Sequence, residues 1–119
     1  MAENISLNLA KKLLGAEVEV VVDRPLGSRH PQYDMVYQAN YGYVPETKAP
    51  DGEELDAYYL GVSGPIDRAR GKCIAVIHRL NDNDDKLVVV PPGTELSDEE
   101  IRVQTDFQEK YFQSVIIRR

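Results

Sequence analysis

The chain has a single cysteine, Cys73, among its 119 residues, so no disulfide can form within it. It has no uninterrupted apolar run long enough to cross a bilayer as a helix, and its N-terminus carries no apolar stretch of the secretory kind ending in a small-residue cleavage site. These absences lead to the expectation of a cytoplasmic protein in a reducing compartment, without a membrane partner. Basic residues are outnumbered, 14 against 20 acidic ones, for a net charge of −6. Nucleic acid draws most of its non-specific protein affinity from lysine and arginine on phosphates, so a nucleic-acid partner is disfavoured. A small phosphorylated ligand is not disfavoured, because metal ions and a few local bases can reverse the sign of the field inside a pocket. Walker-type and Gly-x-Gly-x-x-Gly loops are missing, which removes support for nucleotide folds of those kinds. Repeats and low-complexity segments are missing too. His30 and His78, the only two histidines, lack the paired spacing of a zinc site.

What is present, 42% apolar and 29% charged residues, fits one globular domain over residues 1–119. Ile5, Leu9 and Leu13 recur with helical spacing and Gly15 follows, which predicts a short amphipathic helix over 4–14. Val18, Val20 and Val22 alternate with polar residues until Pro25, as in a half-buried strand. Residues 26–32 carry the glycine and proline of a loop, and the tyrosine-rich stretch at Asn40 reads as a turn. Runs over 55–62, 72–79 and 86–91 read as strands, with 81–85 as a hairpin between the last two. Ser97-Asp-Glu-Glu100 is a capping box, so a helix is expected over about 98–112 with Ile101, Phe107 and Tyr111 facing inward. The tail 114–117 is placed as a strand that closes the sheet. Several short strands with one late helix predict a mainly β fold with flanking helices: a small, mainly antiparallel barrel capped by that helix.

Two acidic clusters carry the candidate chemistry. Asp51, Glu53 and Asp56 straddle the start of one strand, and Asp82, Asp84 and Asp85 precede Lys86 at the start of another. Carboxylates this close repel one another unless a positive charge lies between them, and hard oxygen ligands select Mg2+, Mn2+ or Ca2+. Taken singly, each cluster reads more simply as a solvated polar turn. Lys86 changes the balance, since a lysine among aspartates at a strand mouth can reach a phosphate oxygen while its neighbours hold metals that bridge that phosphate. Tyr41 can orient an oxygen without adding charge, and Arg24 and Arg29 flank a glycine loop from which they can grip phosphate.

Asn40-Tyr-Gly-Tyr43, then Asp51-Gly-Glu-Glu-Leu-Asp56, then an acidic loop running into Lys86-Leu-Val-Val-Val90 form an ordered set. It resembles the soluble, magnesium-dependent inorganic pyrophosphatases from about Val18 to Val90, with a weaker echo at Phe107 to Tyr111. The resemblance implies a five-stranded closed barrel similar to an OB-fold, with metals and pyrophosphate at its mouth. By position it implies that Asp51, Asp56 and Asp84 bind activating Mg2+, with Mn2+ as the substitute. It further implies that Asp82 holds a metal arriving with substrate, and that Asp23 is an acidic ligand at the end of the first strand. Glu53 falls on the residue that orients or deprotonates water, Lys86, Tyr41 and Tyr111 fall on phosphate-binding positions, and Tyr37 falls on the site rim. Phe112 stands where the family has a lysine, and the span from Pro25 to Met35 is shorter than the hairpin usual there. The expected activity is hydrolysis of inorganic pyrophosphate to two phosphates. Its alternatives are hydrolysis of another small diphosphate or nucleotide, or a non-catalytic metal- or phosphate-binding module. Self-association into homo-oligomers is left open.

Overall fold

Strand Arg68–Arg79 organises the sheet because its twelve residues are long enough to serve three neighbours. In the computed structural model, which describes residues 5–45, 47, 54–80 and 84–119, helix α1 (Ile5–Lys12) is followed by strands β1 (Glu17–Arg24), β2 (Asn40–Val44), β3 (Leu55–Tyr59), β4 (Arg68–Arg79) and β5 (Asp85–Val90). Helix α2 (Asp98–Glu109) and strand β6 (Ser114–Ile117) complete the chain. The first half of β4 pairs antiparallel with β1 over Arg68 to Lys72, and its last four residues pair with β6. Its opposite edge pairs with β5 from Lys72 to His78. The sheet order β1-β2-β3-β5-β4 therefore returns on itself through β1–β4, closing a five-stranded barrel, and β6 extends it as a sixth strand. The tail is thus an edge strand and not the closing one. Among the described strands all pairings are antiparallel except β3–β5, which is parallel.

The strand patterns explain two apolar cores. Alternate residues Val18, Val20, Val22, Leu55, Ala57, Val76, Leu87 and Val89 join one buried cluster inside the barrel, against which α1 packs through Leu9 and Ala10, followed by Leu13 in the turn after it. The intervening residues Tyr58, Ala75, Ile77, Val88 and Val90 join a second cluster with Ile101 and Phe107 of α2. Strand β5 is consequently buried at every position, because the barrel interior covers one face and the second cluster the other. Strand β1 alternates because its outer face is wet.

Element ends follow local chemistry. Gly15, with φ of 84°, lies just beyond α1. The capping box forms at the start of α2: Glu100 N donates to Ser97 Oγ at 3.1 Å, and Ser97 N donates to Glu100 Oε1 at 3.0 Å. The helix stops at Glu109, short of 112, so Tyr111 falls in a turn and stands 67% exposed, not facing inward. Asn40-Tyr-Gly-Tyr-Val44 is a strand and not a turn. Its Gly42 sits where a β-carbon would collide with the Val21 carbonyl, so glycine here permits close strand approach.

Candidate active site

Lys86 leads into the second cluster from the start of β5, and its ammonium ends between acidic side chains. Nζ donates to Asp56 Oδ2 at 2.6 Å and to Asp84 Oδ2 at 2.8 Å. Parallel pairing sets this up, since Asp56 of β3 and Lys86 of β5 are register partners. The lysine side chain is 4% exposed, whereas those of Asp56 and Asp84 are 40% and 44% exposed. A buried ammonium has thus drawn together one aspartate from each acidic region, and the carboxylates keep a face open to solvent.

Lys86 and Asp56 border a cavity of about 770 Å³ whose wall includes Asp23, Arg24, Tyr37, Tyr41 and Arg79, with His30 and Tyr111 also on its lining. Aromatic rings build its apolar side. Tyr37 stacks on Tyr41 at 5.9 Å between centroids and meets Phe107 edge-on at 5.6 Å, while Tyr41 tilts against Tyr58 at 4.9 Å. Lys86 Nζ lies 5.5 Å from the centroid of the Tyr41 ring. The Tyr41 phenol is held well above its ordinary range by burial, then by the negative charges of Asp56 and Asp84. It therefore stays a neutral donor at physiological pH. Burial also raises Tyr37, against the opposing pull of Arg24.

Beside Lys86, Arg79 at the end of β4 is bound by Glu109 of α2, with Nε on Oε1 at 3.0 Å and Nη2 on Oε2 at 2.8 Å. Tyr58 donates its hydroxyl to the same Glu109 Oε2 at 2.6 Å. Neither Arg79 nor Glu109 is singled out by sequence reasoning. A signal for Glu109 exists, since Ile101, Thr105 and Glu109 recur every four residues along one face and all are buried.

The remaining expected site residues separate clearly. Asp23 is exposed near the end of β1 and lines the cavity with Arg24. Arg29 is not part of the lining; its side chain is 74% exposed and bonds Asp34 at 3.2 Å. Asp51, Glu53 and Asp82 lie outside the described residues, as does most of the 81–85 turn. Among the described residues no three His, Cys, Asp or Glu side chains group as a metal site. The donor chemistry still suits a hard cation, because Asp56, Asp84 and Asp23 offer only carboxylate oxygens with open faces.

A family model described as inorganic pyrophosphatase matches residues 5–116. The chain belongs to the inorganic pyrophosphatase family. It is 40% identical to the inorganic pyrophosphatase of Pseudomonas aeruginosa over 63 residues, which cover 48% of this chain and 35% of that protein. It is 30% identical to the inorganic pyrophosphatase of Saccharolobus solfataricus over 95 residues, 63% of this chain and 55% of that one. The chain therefore spans about half the length, or less, of these curated relatives. In fold it is similar to the crystal structure of inorganic pyrophosphatase from Ehrlichia chaffeensis, with a TM-score of 0.65, 19% identity and coverage of 82% of each chain. No helix among the described residues is long and apolar enough to cross a membrane.

Proposed function

We propose that this chain, acting as one domain, hydrolyses inorganic pyrophosphate to two phosphates at the cavity bordered by Lys86, Tyr41 and Asp56. The observation that carries this reading is the Lys86 ammonium, buried and held between Asp56 and Asp84, in a chain of the inorganic pyrophosphatase family. Family membership implies a divalent metal, and the all-carboxylate donor set favours Mg2+, with Mn2+ as a substitute. Asp51, Asp56, Asp84, Asp82 and Asp23 are the residues that would hold it. A bound divalent metal supplies positive charge against the phosphate oxygens and makes water easier to deprotonate.

The chain's own groups do the rest. Glu53 takes a proton from the attacking water, whose oxygen forms a new bond to one phosphorus as the bridging P–O bond breaks. The second phosphate departs with the bridging electron pair. Lys86 offsets the charge that builds on it, and the neutral Tyr41 hydroxyl donates to a phosphate oxygen. Tyr111 closes the rim, and Arg24 offers a second basic group beside Tyr37. The buried free thiol of Cys73 accords with a reducing cytoplasm.

Phosphate release measured across pyrophosphate, nucleoside diphosphates and organic diphosphates, with and without Mg2+, tests the assignment. Preference for pyrophosphate is expected. Preference for another diphosphate would replace the substrate, and metal binding without release from any of them would make the chain a binding module.

A further inference from the structure

Arg79 is a charged group for which pyrophosphate hydrolysis, as derived above, has no use. Its side chain is 7% exposed, yet it lines the same cavity as Lys86. Among the described residues, Glu109, Phe112 and Asp84 set its plane. Glu109 engages Nε and Nη2 as a fork, which fixes the guanidinium's orientation. Phe112 covers one face, with its ring centroid 3.7 Å from Cζ. Nη1 points to Asp84 Oδ2 at 3.4 Å, the oxygen that also accepts from Lys86.

Two cations of the cavity wall, from neighbouring strands, thus share one carboxylate oxygen. Glu109 is itself anchored, because Tyr58 donates to it and Gln108 Nε2 donates to the Tyr58 hydroxyl at 2.6 Å. Burial alone would lower the pKa of Arg79, but its bonds to Glu109 more than reverse this and keep it charged. A buried ion pair is commonly no more stabilising than apolar side chains of the same size. A strut between β4 and α2 therefore needs neither charge, whereas a guanidinium in the cavity wall, held in plane by Glu109 with its Nη1 side toward Asp84, suits phosphate oxygens.

We propose that Arg79 binds a phosphate oxygen of the diphosphate and that Glu109 is the positioning residue that aims it. The inference rests on the pyrophosphate reading of this cavity.

The test uses the full chain in Mg2+ buffer and the carbon-bridged analogue methylenediphosphonate, whose affinity is measured by calorimetry beside KM and kcat for pyrophosphate. Arg79→Lys keeps the charge without the fork, and Arg79→Met combined with Glu109→Gln removes both charges without stranding one. Each variant is expected to lose about tenfold or more in analogue affinity, with a raised KM and an intact fold by circular dichroism. A folded variant with the wild-type affinity and KM overturns the proposal. The wild type supplies a second readout, since the Arg79 Nε–H resonance should move on saturation with the analogue, and an unmoved resonance also overturns it. A wild type that neither binds the analogue nor cleaves pyrophosphate defeats the pyrophosphate reading itself. A wild type that does both, matched by its variants, defeats only the role of Arg79.

Discussion

Asp56 and Lys86 are register partners on the parallel strands β3 and β5, and their side chains meet at 2.6 Å. The barrel's only parallel pairing among the described strands thus supplies the contact on which the site is built. Parallel strands need a long connection between them, and here β4 and its flanking loops provide it.

Replacing that ammonium should separate two effects. Lys86→Met leaves Asp56 and Asp84 without their shared cation, so phosphate release from pyrophosphate is expected to fall by about a hundredfold or more. The same variant should gain more melting temperature from added Mg2+ than the wild type does, because a divalent cation relieves the new repulsion. Thermal melts at matched Mg2+ concentrations check this. Equal gains in both proteins would count against Asp56 and Asp84 sharing a cation.

Gly42→Ala tests the strand approach at β1 and β2. A β-carbon there meets the Val21 carbonyl, a backbone atom that cannot swing aside. The expected cost is about 3 kcal/mol, measured by urea denaturation. Gly64→Ala is the control, since its added carbon meets nothing, and it should change stability little.

Alkaline pH should weaken the fold earlier than ordinary side chains would require. Burial raises Cys73 from the usual 9.0 to about 11, and burial also raises Tyr37, Tyr41, Tyr58 and Tyr59 above the usual phenol value. Above pH 9 the folded chain therefore binds more protons than the unfolded one, and stability falls as pH rises. Cys73 contributes about 3 kcal/mol of this, present in full below its unfolded value and lost as pH passes through its folded one. Melting temperatures should hold near neutrality and decline from about pH 9. Cys73→Ala should make the first part of that decline shallower.

Several of these features are legible in the sequence, and others are not, for physical reasons. The alternation of Val18, Val20 and Val22 ahead of Pro25 marks β1, because its outer face is wet. Ser97 and Glu100 mark the start of α2, because their bonds are local. Strand β2 reads as a turn, since glycine at a strand centre has meaning only once Val21 lies against it. The first four residues of β4, Arg-Ala-Arg-Gly, look like loop because they lie beside β1, with Glu17 and Glu19 bonding Arg70 and Arg68. At the site, Asp56, Asp84 and Lys86 could be chosen from composition and order, but the distance between them is a matter of register. Arg79 and Glu109 escape notice because their partners lie thirty residues apart on different elements.

On the proposed function, carboxylates from two acidic regions that meet around Lys86 form a metal-dependent pyrophosphate-cleaving site. Its most direct test is phosphate release from pyrophosphate by the wild type and Asp56→Asn, each with Mg2+ and with chelator. The wild type should release phosphate only with Mg2+, and Asp56→Asn should be slower by at least about a hundredfold while melting as a folded protein. Release that survives chelation, or Asp56→Asn at near wild-type rate, would contradict the account.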